Sequence, residues 1–187
     1  MFHALNGLPR PLKRPLIGWY LAHRNVRFDD PPEFSGRWPA IRNRGRMQVG
    51  CGCRFRSLRL HHFISIHATG ELVIGDQVFL NDGINICATQ AVRIGDHAKI
   101  GDLVYIYDTH FHPLSPEAPT RQSPVFIGRN VWIGAKATLL PGSVIGNHSV
   151  IGAAAVVTGE IPAKSLAIGC PARVIRTLNV PDDWIRP

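Results

Sequence analysis

The sequence predicts an all-β fold, a parallel β-helix assembled from six-residue units, and three regularities carry that expectation. Between Val125 and Val157 an aliphatic side chain returns at every sixth position: Ile127, Ile133, Leu139, Ile145, Ile151 and Val157. Two residues before each stands a second, mostly smaller side chain: Val125, Val131, Ala137, Ser143, Ser149 and Ala155. Glycine follows the large residue at Gly128, Gly134, Gly146 and Gly152. Neither a 3.6-residue helix nor a long alternating strand produces these spacings. A repeating unit does: a three-residue strand points its first and third side chains inward, and three more residues turn a corner. Glycine is expected at the corner for its access to φ > 0. Three units close one triangular coil, and coils stack about 4.7–4.9 Å apart through parallel backbone hydrogen bonds.

In chain order, Leu12, Leu16 and Tyr20 lie four apart, as do Ile17 and Leu21. That spacing predicts a short amphipathic helix over residues 12–23, its start loosened by Pro9, Pro11 and Pro15. Such a helix suits one end of a β-helix, where it covers a sheet edge that invites aggregation. With Trp19, Lys13, Arg14 and Arg24 it also suits a membrane surface. Residues 28–46, with Pro31, Pro32 and Pro39, read as an irregular connection. Residues 1–46 are therefore expected to form a basic amino-terminal segment and residues 47–176 the β-helix. Inward pairs begin around Met47 and Val49. They run cleanly from Leu72/Ile74 through Val78/Leu80, Ile84/Ile86, Val92/Ile94 and Ala98/Ile100 to Val104/Ile106. Then 21 positions separate Ile106 from Ile127, and four prolines mark residues 107–126 as an extruded loop. After Val157 a corner is expected to lengthen before Leu166/Ile168 and Ala172/Val174 finish the stack. Residues 177–187 are left as a tail packed outside the coils.

At 187 residues the chain makes one domain with a sizeable core. No apolar run approaches 18 residues and the start lacks the apolar core of a signal peptide, so the protein reads as cytoplasmic. Cys51, Cys53, Cys87 and Cys170 show no disulfide framework. Cys51-Gly52-Cys53 near His61 and His62 is a metal-like grouping, for which small buried side chains are the simpler reading. The net charge of +8 is unevenly placed. Residues 1–60 hold twelve Lys and Arg against three acids, a net of +9, and the remainder carries −1. That field suits an anionic membrane surface, an acidic saccharide or a lipid-linked substrate, or it is a solubilising face. Nucleic acid has no motif here, and the basic residues lack the interleaved aromatics of a stacking platform.

Loops of this length inside a compact domain are usually functional or disordered, and this one contains His110 and His112. Four stretches carry a resemblance: Leu80-Asn81, His112-Pro113-Leu114-Ser115-Pro116-Glu117, Val131-Trp132-Ile133-Gly134, and Gly169-Cys170-Pro171-Ala172-Arg173-Val174-Ile175-Arg176. Over roughly residues 70–177 they resemble the hexapeptide-repeat acyltransferases, in the branch of maltose, galactoside and polysaccharide O-acetyltransferases. The resemblance implies left-handed coils, a homotrimer with active sites between subunits, and acetyl transfer from acetyl-CoA to a saccharide hydroxyl without a metal. It makes the loop histidine the general base, a role suited to imidazole. His112 matches through the Pro-Leu-x-Pro-Glu that follows it; counted from Ile94 the family's His falls one residue earlier, so His110 stands as rival. Asn81 matches an acceptor-contacting Asn, though Asn is also an ordinary corner residue. The family's neighbouring Asp is missing from Cys87-Ala88-Thr89-Gln90.

For the cofactor, the resemblance implies contacts from Trp132, Ala135, Ala153 and Thr158, with Arg173 and Arg176 on the nucleotide phosphates. Gly159 replaces the Lys common after Thr158, leaving Lys136 or Lys164 to take its task. Trp132, outward in the middle of its triplet, needs a partner: an active-site wall, the cofactor arm or another subunit. Other readings are a sugar N-acetyltransferase, a γ-carbonic-anhydrase-like zinc enzyme and a non-catalytic β-helix scaffold. His62 and His67 have the separation of two of the three zinc ligands, without a convincing third.

Overall fold

The computed structural model describes residues 9–187, so the first part of the basic amino-terminal segment lies outside the described residues. Three sheets wrap one apolar interior. Face A holds seven strands from Val26–Phe28 to Glu160–Ile161, and face B eight from Glu33–Gly36 to Arg173–Thr177. Face C holds six, from Ala40–Asn43 to Val156–Val157. Successive strands step from one face to the next, and stacked strands pair parallel in register, as Leu72 on Val92 on Val125. The inward pairs named from Leu72 to Ile106 and from Val125 to Val157 are all no more than 3% exposed.

The corners follow a different logic from the expected one. Gly128, Gly134, Gly146 and Gly152 do not adopt positive φ; the left-handed residues are Asn130, Lys136, His148 and Ala154, at φ 55–63° two positions later. Each of these donates its backbone N–H to the corner carbonyl of the preceding coil, as His148 to Arg129 at 2.9 Å and Ala154 to Ala135 at 2.9 Å. That bond offsets the cost of a left-handed non-glycine residue. The glycines are needed for close stacking: a Cβ on Gly146 would stand 2.3 Å from the backbone N of Ala163, and one on Gly134 2.6 Å from that of Ala153. Gly159 meets nothing within 4 Å. Gly146→Ala is therefore expected to cost about 2–3 kcal/mol, a Tm lower by roughly 4–12 °C, while Gly159→Ala leaves Tm nearly unchanged. Equal Tm values for the two variants in a thermal melt would contradict the close-approach account.

Both ends of the stack depart from expectation. The stretch 28–46 is coil rather than connection: Glu33–Gly36 pairs with Arg54–Ser57 and Ala40–Asn43 with Phe63–Ile66. With Val26–Phe28 on Arg46–Val49, these strands start the β-helix at Val26. At the other end the corner after Val157 shortens, because Ile161 comes four residues on and stacks on Ile145. The last inward pair is Ser165 and Ala167, with Ile168 43% exposed. Strand Arg173–Thr177 then turns back antiparallel along Ser165–Ile168, leaving Val174 exposed and only Ala172 buried.

Helix α1 (Arg10–Ala22) closes the amino-terminal opening. Pro9 caps it and Pro11 sits in the first turn, where no intrahelical N–H bond is lost. Ile17, Tyr20 and Leu21 are buried. The Tyr20 ring meets Trp38 edge-on at 5.0 Å and its hydroxyl donates to the Pro39 carbonyl. Leu12 and Leu16, expected on that same face, are exposed.

Candidate active site

The extruded loop leaves face C after Tyr105–Tyr107 and returns to face A at Val125–Ile127. Its stem is a short antiparallel ladder: Ser123 N–H donates to Asp108 O at 2.9 Å, Thr109 bridges Gln122, and His110 N–H donates to Arg121 O at 3.0 Å. Asp108, fully buried, ties that stem to the previous coil. Its carboxylate accepts from Thr89 N–H (2.8 Å), Thr89 Oγ1 (2.8 Å) and Gln90 N–H (2.7 Å). No motif in the sequence pointed to Asp108. Beyond the stem the chain makes a tight turn at Phe111, φ 62°, with His112 N–H donating to His110 O at 2.7 Å. The Phe111 ring rests edge-on against Tyr107 at 5.6 Å. His110 is half-buried and His112 exposed, and among the described residues neither imidazole has a hydrogen-bond partner. Burial pushes the Tyr107 hydroxyl up to about 12 and the neighbouring Cys87 thiol up to about 11, so both stay neutral at pH 7.

Asn81 stands at a different corner, between faces B and C. Its Oδ1 is buried and accepts no hydrogen bond among the described residues. Next to it, Asp82 Oδ1 accepts from Arg59 N–H at 3.0 Å, and the Arg59 guanidinium reaches Asp102 Oδ2 at 3.1 Å. Burial pushes the Asp82 carboxyl up, but the Arg59 and Leu60 amides and the Arg59 charge outweigh it and hold Asp82 below the usual carboxylate range. Below Asn81 the same corner descends through Gly101, Gly134 and Gly152, where Ala135 and Ala153 form small-residue steps. Within one chain Asn81 and the loop histidines are not brought together. The strand Asn85–Ala88 separates their corners by its four residues, about 13 Å of extended chain.

The cofactor candidates divide in the same way. Trp132 projects from face B between Lys99 and Val150, near the corner of Ala135 and Ala153, and Arg173 and Arg176 lie exposed on the last strand of face B. Thr158 sits apart, on the corner that carries the loop. Trp132 has found a partner in its own chain. The Arg186 guanidinium stands 5.8 Å from the Trp132 ring and 4.8 Å from that of Trp184. The tail is held there by Asn130, whose side chain donates to Trp184 O at 2.8 Å and accepts from Arg186 N–H at 2.9 Å.

The metal readings meet contrary geometry. Cys53 points into the core, where its thiol donates to Gly75 O at 3.1 Å, while Cys51 faces out. His62 is fully buried in the coil interior and His67 is exposed. His62 Nδ1 accepts from Ile84 N–H at 3.3 Å. Burial drives the His62 pKa down to about 4. Between that value and 6.5 the unfolded chain binds the proton and the folded one does not, so stability falls as pH drops below 6.5. From pH 7.5 to pH 5 this single group is expected to remove about 2 kcal/mol. Chemical denaturation of the parent and of His62→Met at both pH values checks it: the variant loses less on acidification.

A family model for the bacterial transferase hexapeptide (six repeats) matches residues 124–159. The lipopolysaccharide biosynthesis O-acetyl transferase WbbJ of Escherichia coli is 36% identical over 159 residues, covering 76% of this chain and 78% of WbbJ. The galactoside O-acetyltransferase of Escherichia coli is 38% identical over 109 residues, 57% of this chain and 54% of that protein. Among solved structures, a galactoside acetyltransferase in complex with coenzyme A superposes with a TM-score of 0.55 at 25% identity, over 90% of this chain and 82% of that one. AntD, an N-acyltransferase from Bacillus cereus in complex with dTDP and 3-hydroxybutyryl-CoA, reaches 0.71 at 19% identity over 87% and 88%, a likeness of fold. With its stacked coils, its extruded loop and a relative matched over most of both lengths, this chain belongs to the hexapeptide-repeat acetyltransferases, the left-handed β-helix enzymes.

Proposed function

We propose that the protein transfers an acetyl group from acetyl-CoA to a saccharide hydroxyl, at a site shared between neighbouring copies in a homotrimer, with His112 as general base. One observation carries the reading. The loop histidines and the free Oδ1 of Asn81 lie on adjacent coils but at opposite edges of face C, so each corner offers half of a site. A second copy that sets its loop corner against this chain's Asn81 corner supplies the missing half. The unpartnered imidazoles and the unpartnered Asn81 oxygen are then the groups that meet.

An acceptor hydroxyl is a poor nucleophile at neutral pH, whereas acetyl-CoA supplies an already activated thioester. Asn81 Oδ1 accepts a hydrogen bond from the sugar and orients it. The imidazole takes the hydroxyl proton as the oxygen attacks the thioester carbonyl, then returns it to the departing thiolate. A backbone N–H at the glycine-lined corner donates to the oxyanion. Ala135 and Ala153 leave room for the pantetheine arm, and Arg173 and Arg176 pair with phosphate oxygens. WbbJ is named for lipopolysaccharide biosynthesis, which supports a lipopolysaccharide-type saccharide as acceptor.

Release of free thiol from acetyl-CoA across a panel of hexoses, amino sugars and oligosaccharides tests the proposal. Sugar-dependent thiol release with an alkali-labile ester product supports it. An alkali-stable amide product would place the protein with the sugar N-acyltransferases, and no release with any sugar would contradict a saccharide acceptor.

A further inference from the structure

On α1, away from the side packed on the coils, runs an exposed apolar stripe. Leu12 is 58% exposed, Leu16 37% and Trp19 62%, and the His23 ring stacks on Trp19 at 5.5 Å. Their four- and three-residue spacing puts all three on one side of the helix. Because Ile17, Tyr20 and Leu21 face the first coil, the stripe stays clear of the solenoid. We propose that it docks the protein on an anionic lipid bilayer, with α1 lying in the headgroup layer and the amino-terminal end of the β-helix facing the membrane.

Side-chain chemistry and charge select this occupant. Trp and Leu are the side chains that settle at the boundary of headgroups and acyl chains. Three of them aligned along about two turns of one helix exceed the scattered exposure of an ordinary helix. The charge is concentrated at the same end: the first 60 residues carry a net of +9 and the rest −1. On the first two coils Arg27, Arg42, Arg44, Arg54 and Arg56 point outward on all three faces and are exposed. This ring of guanidinium groups suits anionic headgroups on every side of the stripe. A second copy docked stripe to stripe would instead bring two strongly positive ends together. An acidic polymer alone would leave the stripe in water.

The test sediments the full chain with vesicles of phosphatidylcholine, or of phosphatidylcholine with about one-third phosphatidylglycerol. The expected result is at least about tenfold stronger partition into the anionic vesicles, weakening as salt screens the arginines. Leu16→Glu with Trp19→Glu is expected to lower that partition about tenfold or more at unchanged Tm, since both side chains are exposed. Arg42→Glu with Arg44→Glu is expected to reduce the preference for anionic lipid. Equal partition into the two vesicle types, or stripe variants that bind like the parent, would overturn the proposal. So would a stripe variant whose mass in solution drops instead, because a second copy would then be what covers the stripe. No acetyl-CoA is present in this assay, so its outcome is independent of the transfer reading.

Discussion

Replacing His112 by alanine is expected to lower kcat for acetyl transfer by about 10²–10⁴-fold with Tm unchanged. The side chain is exposed beyond the Phe111 turn. Its removal therefore costs no packing and the loss reports chemistry alone. The same change at His110 is expected to cost less than about tenfold, because its half-buried ring lies closer to the stem and acts on the turn. Both histidines flank one residue at φ 62°, so a small rotation of the turn exchanges which imidazole faces the acceptor. Steady-state kinetics on the two single variants decides between them. An inactive His110→Ala beside an active His112→Ala would move the base to residue 110.

Asp108→Ala is expected to give the largest stability loss of any polar substitution near the site. The carboxylate is fully buried and satisfies two backbone N–H groups and the Thr89 hydroxyl. Alanine removes the acceptor of all three donors and leaves the two on Thr89 unpaired in the interior, at about 1–3 kcal/mol each. With some relaxation of the corner the total comes to about 3–5 kcal/mol, a Tm lower by roughly 6–20 °C. Asp108→Asn keeps the shape and one acceptor oxygen and should fall between the two. The Asp108 carbonyl also receives Ser123 N–H at the loop stem. Activity is therefore expected to drop at temperatures where the Asn variant is still folded. Thermal melts alongside rate measurements check both parts, and an Asp108→Ala protein melting with the parent would refute the anchoring role.

The coil core was legible because its rule is geometric. Whatever stands at the first and third positions of a triplet faces inward, and Ser143 and Ser149 obey as well as Ile145 and Ile151. Reading by side-chain size instead of by register failed at the carboxyl end. There Leu166 and Ile168 looked like the inward pair, yet stacking on Ile151 turns the smaller Ala167 inward. At the other end prolines hid two strands, because Pro31, Pro32 and Pro39 occupy corners and leave the strand backbones free to pair. The corner glycines were placed correctly for the wrong reason: contact with the next coil excludes a Cβ there, and the left-handed residues stand two positions on.

The site was half legible. The His-bearing loop announced itself by breaking the period, and Asn81 by its motif. Asp108 did not, since Thr89 and Gln90 lie 18–19 residues back and meet it only when coils stack. The Arg186 contact on Trp132 spans 54 positions and depends on Asn130 holding the tail. That Asn81 and the histidines occupy different corners is a property of the wound chain, invisible in a linear motif.

Co-assembly of two inactive variants tests the shared site most directly. His112→Ala and Asn81→Ala subunits, carrying different tags and purified as mixed oligomers, each lack a different half. If a loop from one copy works on the corner of its neighbour, every three-fold ring that contains both variants holds one intact site, about a third of the parent sites. Recovery of thiol release to that level is the predicted result. Activity that stays at the mean of the two separate variants would show that no site is shared between copies.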